Sequence, residues 1–143
     1  MILCDVNVLV YAHRPDSIPN HADYATWLTK VATQPVHFAL SEAVLSAFIR
    51  VVTNPRIFRE PTPTKTAIAF CNRLVERSTA QLLRPGFRNW EIFTELCATY
   101  SIQGKKVADI WHAALAIEYD CEWISTDRDF QIFRELKWRH PFP

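Results

Sequence analysis

The stretch Met1-Ile2-Leu3-Cys4-Asp5-Val6-Asn7 decides how the rest of this chain is read. Residues 1–4 are an unbroken apolar run, and after Asn7 the pattern returns to Val8-Leu9-Val10-Tyr11-Ala12. A short continuous apolar run fits a strand covered on both faces, as in a parallel sheet. In open parallel sheets, ligands bind in the crevice outside the carboxyl ends of the strands. Asp5 falls at such an end, where a carboxylate is costly unless it is paired or holds a metal. The plainer reading is that Asp5 caps the helix that follows, because Asp is a favoured N-cap. The two readings separate only if carboxylates recur at other strand ends.

Bulk properties narrow the field first. A chain of 143 residues with 49% apolar and 13% aromatic residues has the makings of one folded domain spanning 1–143. It has two glycines, Gly86 and Gly104, so no phosphate-cradling or dinucleotide glycine loop can be written, which argues against ATP, GTP and NAD as cofactors. No apolar stretch reaches membrane-span length and no basic, signal-like N-terminus is present, so the expectation is a soluble, cytoplasmic chain with no membrane partner. Cys4, Cys71, Cys97 and Cys121 are scattered among apolar neighbours and are read as small buried hydrophobes. The net charge of +1 hides an asymmetry. From Arg50 to Lys106 there are ten Lys or Arg against four Asp or Glu, and the two ends carry the acidic excess. An acidic pole beside a basic middle suits a metal next to a polyanion, although a solvated surface would look the same.

Along the chain, helical and strand-like segments alternate. Val6 to His13 reads as a short helix stopped near Pro15, and Asn20 as the N-cap of a second helix, with Asp23 three residues on as in a capping box. Val36 to Leu40 reads as a strand, followed by a helix capped by Ser41 with Leu45, Phe48, Ile49 and Val52 on one face. Thr53-Asn54-Pro55 stops that helix. After a basic, Pro-rich connection, Thr62-Pro63 marks a helix start, with Ala67, Phe70, Cys71, Leu74 and Val75 as its buried stripe. Gln81-Leu82-Leu83 is a brief strand, Asn89 to Tyr100 a helix, and Val107 to Ile117 a helix with Ile110, Ala113, Ala114 and Ile117 on one stripe. Glu122 to Ser125 is a further strand, and Glu135 to Arg139 an edge strand. The alternation predicts an α/β fold, a parallel central sheet of four to five strands with helices on both faces.

On that fold, Asp5, Glu42, Asp109 and Asp127 fall just after a strand or in the first turn of a helix, with Asp129 as a fifth. Helix first turns favour anions, so each position taken singly has a structural explanation. Parallel topology, however, brings strand ends to one edge, and carboxylates gathered there would repel unless a divalent cation neutralised them. Mg²⁺ or Mn²⁺ suits such oxygen ligands.

Asp5-Val6-Asn7, Ser41-Glu42, Asp109-Ile110-Trp111-His112-Ala113-Ala114 and Ser125-Thr126-Asp127-Arg128-Asp129-Phe130 resemble, in order and spacing, the motifs of PIN-domain ribonucleases. The short chain and the run Arg50-Val51-Val52-Thr53-Asn54-Pro55 after Glu42 resemble the VapC toxins of bacterial toxin–antitoxin pairs. The resemblance covers essentially the whole chain. It implies a single PIN-like domain and a metal-dependent endoribonuclease toxin, dimeric and inhibited by a cognate antitoxin. It implies Asp5, Glu42, Asp109 and Asp127 as the acidic quartet, with Asp129 a secondary ligand, Asn7 orienting Asp5, and Thr126 supporting Asp127. Hydrolysis would leave 5′-phosphate and 3′-hydroxyl ends. Trp111-His112 is bulkier than the small apolar residues often found at this place in the family, which bears on local substrate contacts.

Arg50, Arg56 and Arg59 bracket the Pro-rich connection and are candidates to hold RNA phosphates near Glu42, with solvation or antitoxin contact as the alternatives. Phe58 could stack on an unpaired base or pack in the core. Two other readings stay open. A phosphoaspartate phosphatase or receiver also places Asp at strand ends, but the first wants a second Asp where this chain has Asn7, and the second wants an acidic pair where it has Cys4-Asp5. A PIN-like module that only binds RNA or protein would be expected to have lost carboxylates that this chain retains.

Overall fold

In the computed structural model, which describes residues 1–35 and 37–143, the opening apolar run is a strand, β1 (Ile2–Cys4). It lies at the centre of its sheet. The helices α1 (Val6–His13) and α2 (His21–Thr33) follow, then β2 (Phe38–Ser41), α3 (Glu42–Val52) and α4 (Thr64–Val75). The chain continues through β3 (Ala80–Leu83), α5 (Asn89–Thr99), α6 (Val107–Glu118), β4 (Glu122–Ile124) and β5 (Lys137–Arg139). The strands pair in parallel throughout, in the order β3-β2-β1-β4-β5. The chain winds outward from β1 to β3, then returns to lay β4 against the other side of β1. Strand order therefore reverses at β1, and the crevice of an α/β sheet opens at such a switch point.

Register fixes what meets there. Leu3 lies beside Ala39 and Trp123, and Cys4 beside Ile124. Asp5 therefore emerges next to Ser125, and its N–H donates to the Ile124 carbonyl at 2.9 Å.

The expected strand 36–40 begins at Phe38, and Val36 lies outside the described residues. Two expected helix starts are corrected. Asn20 precedes α2 but makes no side-chain cap, so the capping box with Asp23 does not form. At the second, α4 begins at Thr64 with Pro63 at the cap position, because the Thr62 hydroxyl is turned away to His13 and Arg14. Cys4, Cys71 and Cys121 are buried as expected, whereas Cys97 is only half-buried.

Helix α6 buries more than one stripe. Leu115 and Ala116 are buried along with Ile110, Ala113 and Ala114, because the sheet and α5 both pack against it. Alanine at these places permits close approach. Ala113→Leu should overpack this seam and destabilise the fold by about 1–3 kcal/mol. A denaturant midpoint unchanged by that substitution would place this face outside the core.

Candidate active site

The Asp5 side chain is both a helix cap and a buried carboxylate. Its Oδ1 accepts from the Val6 N–H at 2.7 Å, which closes the start of α1. Its Oδ2 accepts from the Ser125 hydroxyl at 2.6 Å and from the Asn7 amide at 2.9 Å. The two sequence readings of Asp5 thus apply to different oxygens of one group.

Ser125 is fully buried and is the hub of this corner. Besides donating to Asp5, its hydroxyl accepts from the Asn7 amide at 3.2 Å and from the Asp127 N–H at 3.0 Å. Asn7 in turn accepts from the Thr126 N–H at 3.4 Å. The ends of β1 and β4 are therefore tied by side chains as well as by register. Asp127 opens a short 3-10 turn at Arg128–Ile132 and accepts from the Asp129 N–H at 2.8 Å. Asp109 sits in the first turn of α6, half-buried.

Asp5, Asp109 and Asp127 line one open cavity of about 690 Å³, together with Arg50, Arg59 and His112. The carboxylates sense one another. Burial pushes the Asp5 carboxyl up to about 6; hydrogen bonds from Ser125 and Val6 pull the other way, and the charges of Asp109 and Asp127 push it further up. Asp109 is also raised, first by burial and then by Asp127, with Lys106 opposing. Among the described residues, no Lys or Arg forms an ion pair with Asp5, Asp109 or Asp127. No three His, Cys, Asp or Glu side chains among the described residues are grouped closely enough to hold a metal ion together, so Asp5, Asp109 and Asp127 share the cavity without forming a ready-made cage. Uncompensated, hard oxygen donors spread along an open cavity fit a cation that keeps several waters and takes one or two carboxylates, as Mg²⁺ does. They do not fit a closed zinc cage.

The other expected site residues are placed differently. Glu42 opens α3 behind the Ser41 cap, but its exposed carboxylate accepts from Arg84 at 2.7 Å and does not line the cavity. Asp129 is exposed and paired with Lys106 at 2.5 Å. Thr126 reaches the corner through its backbone N–H to Asn7. Arg56 is exposed and lies outside the cavity lining. Phe58 is buried, as core packing requires, yet it borders the cavity. His112 stacks on Trp123 with an interplanar angle of 12°, and burial pushes its imidazole down to about 4. It is neutral at physiological pH.

Sequence reasoning passed over Ser125 as a strand end. Its signal was a hydroxyl directly before Thr126-Asp127, facing the end of β1. Asp16 and Ser17 also line the cavity, and no sequence pattern marked them.

The family model for the PIN domain matches residues 2–136. This chain belongs to the PIN-domain family. Within it, the chain is similar to the VapC ribonuclease Mb2897 of Mycobacterium bovis, 45% identical over 141 residues that cover 99% of this chain and 95% of that protein. Ribonuclease VapC25 of Mycobacterium tuberculosis is 33% identical over 141 residues, covering 99% of both chains. The fold of this PIN domain also matches VapBC2 from Rickettsia felis, solved bound to a DNA fragment from its promoter, with a TM-score of 0.71 at 19% identity over 98% of each chain.

A buried acid with a raised pKa makes stability depend on pH. The contribution of Asp5 is fully present below the ordinary carboxylate value of 3.8 and is lost as pH rises through about 6. In metal-free PIN domain, the stability of wild type relative to Asp5→Asn should fall by roughly 3 kcal/mol between acid and neutral pH. Urea denaturation measures this, and added Mg²⁺ should restore the loss in wild type alone. A difference that is flat with pH would mean that Asp5 titrates as an ordinary carboxylate. Ser125→Ala should raise the Asp5 titration further, as followed by carboxyl NMR shifts, because it removes a donor that holds the carboxylate ionised.

Proposed function

We propose that this PIN domain is a metal-dependent endoribonuclease toxin, neutralised by a cognate antitoxin. The observation that carries this reading is the convergence of Asp5, Asp109 and Asp127, none ion-paired among the described residues, on one open cavity that also holds two arginines.

Asp5, Asp109 and Asp127 would hold Mg²⁺ or Mn²⁺, and Asp129, outside that lining, would join them only by releasing Lys106. Glu42 joins them only by releasing Arg84. When bound, the cation would supply Lewis acidity toward water and phosphate and offset the mutual repulsion of the carboxylates. The chain does the rest. Val6, Asn7 and Ser125 use three donors to fix both oxygens of Asp5, so the carboxylate is oriented before substrate arrives. Arg50 and Arg59 supply positive charge for the RNA phosphates on either side of the scissile bond. The openness of the cavity suits a strand threaded past the carboxylates. Burial keeps His112 neutral near pH 7, which disfavours it as a proton donor to the leaving group. Hydrolysis then leaves 5′-phosphate and 3′-hydroxyl ends.

A phosphoaspartate route is disfavoured. Both Asp5 oxygens are engaged by donors, and Lys106 is paired with Asp129. The antitoxin is proposed from the VapC relatives and from the fold match to VapBC2, and a homodimer from the same family likeness.

The test is cleavage of a total RNA pool by purified protein freed of any partner, with Mg²⁺, with Mn²⁺ and with EDTA. Expected are cuts with 5′-phosphate ends under either metal, none in EDTA, and a loss of at least about a hundredfold in Asp5→Asn. Equal cleavage by Asp5→Asn, or cleavage that persists in EDTA, would overturn the mechanism. No cleavage by a folded, metal-binding protein would leave a binding module.

A further inference from the structure

Arg14, in the turn after α1, is not itself part of the cavity lining and does not contact Asp5, Asp109 or Asp127, yet both walls of the cavity mouth depend on it. Its guanidinium donates through Nε and one Nη to the two oxygens of Asp16, at 2.8 and 2.6 Å. The other Nη donates to the Glu60 carbonyl at 2.9 Å and to the Thr62 hydroxyl at 3.2 Å. The guanidinium carbon lies 4.3 Å from the centre of the Phe58 ring. The side chain is 12% exposed. Its backbone carbonyl also accepts from the Ser17 hydroxyl at 2.6 Å.

These contacts join two segments that line the cavity, Asp16-Ser17 on one and Ile57-Phe58-Arg59 on the other. Apart from the burial of Phe58, the second segment has few contacts to hold it. Its hydrogen bonds at Arg56, Ile57 and Phe58 are to Asn54 within the same loop. Among the described residues, the bond from Arg14 to the Glu60 carbonyl is the one hydrogen bond that ties residues 55–61 to another part of the molecule. Pro55 and Pro61 stiffen the loop but do not position it.

We propose that Arg14 is a positioning residue for substrate binding: its forked contacts to Asp16, Glu60 and Thr62, with Phe58 beneath, dock the 55–61 loop so that Arg59 faces RNA at the cavity. This rests on the endoribonuclease reading above. Arginine is required for its geometry, since only a planar fork grips the Asp16 carboxylate and a backbone carbonyl at once while stacking on an aromatic face. Lysine keeps the charge and loses the fork.

The test compares wild type with Arg14→Ala and Arg14→Lys, each shown folded by circular dichroism, in two assays. Limited trypsin cleavage after Arg56 and Arg59 reads the loop, and should accelerate by about tenfold in both variants if the loop is released. RNA cleavage kinetics read the consequence: KM should rise by about tenfold with kcat within about twofold of wild type, because uniform substrate binding is lost and the carboxylates are untouched. The lysine variant should fail to rescue either readout. Unchanged tryptic rates in both variants would overturn the docking role. So would a fall in kcat at constant KM, which is what general damage to the fold or the carboxylates produces. If Arg14→Ala does not fold, Arg14→Lys alone decides. Should wild type itself cleave no RNA, the endoribonuclease reading fails, while the tryptic comparison still judges the docking of the loop.

Discussion

Asp5 is 8% exposed, it accepts three hydrogen bonds, and among the described residues no Lys or Arg pairs with it. Burying such a group costs free energy, and hydrogen bonds offset only part of that cost. The surrounding structure follows from keeping this carboxylate ionisable in place. Ser125 must follow the end of β4, level with Asp5, and Asn7 must lie in the first turn of α1 to reach both. Parallel pairing of β1 with β4 is what brings residues so distant in sequence into hydrogen-bonding contact.

The remaining carboxylates fall into two kinds. Asp109 and Asp127 share the cavity with Asp5 and repel it, a repulsion that the divalent cation proposed for this site would relieve. Glu42 and Asp129 are exposed and already compensated, by Arg84 and Lys106. Exposed pairs of this kind contribute little to stability and exchange partners readily. The inner three share one cavity, and the outer two are held by partners outside it.

The cavity mouth is built by a different principle. No strand holds the 55–61 loop. One arginine does so through a carboxylate, a carbonyl, a hydroxyl and an aromatic face, which couples the end of α1 to the basic segment. The α1 helix thereby connects the carboxylate corner at its start with the mouth at its end.

Sequence by itself determined the α/β alternation, the buried first strand, the α6 alanine stripe and the family, because hydrophobic periodicity and motif order are local properties of the chain. It also marked Asp5, Asn7, Asp109 and Asp127, since chemistry-bearing residues at strand ends stand out against apolar runs. The caps at Asn20 and Thr62 misled because a favoured cap residue has no preference for its own helix over a tertiary partner, and Arg14 and His13 claimed the Thr62 hydroxyl. Only the tertiary structure decided that Ser125 joins two strand ends, that Glu42 turns to Arg84, and that Arg14 holds a distant loop. Each is a contact between residues tens of positions apart, set by strand register and side-chain direction, and no local pattern encodes either.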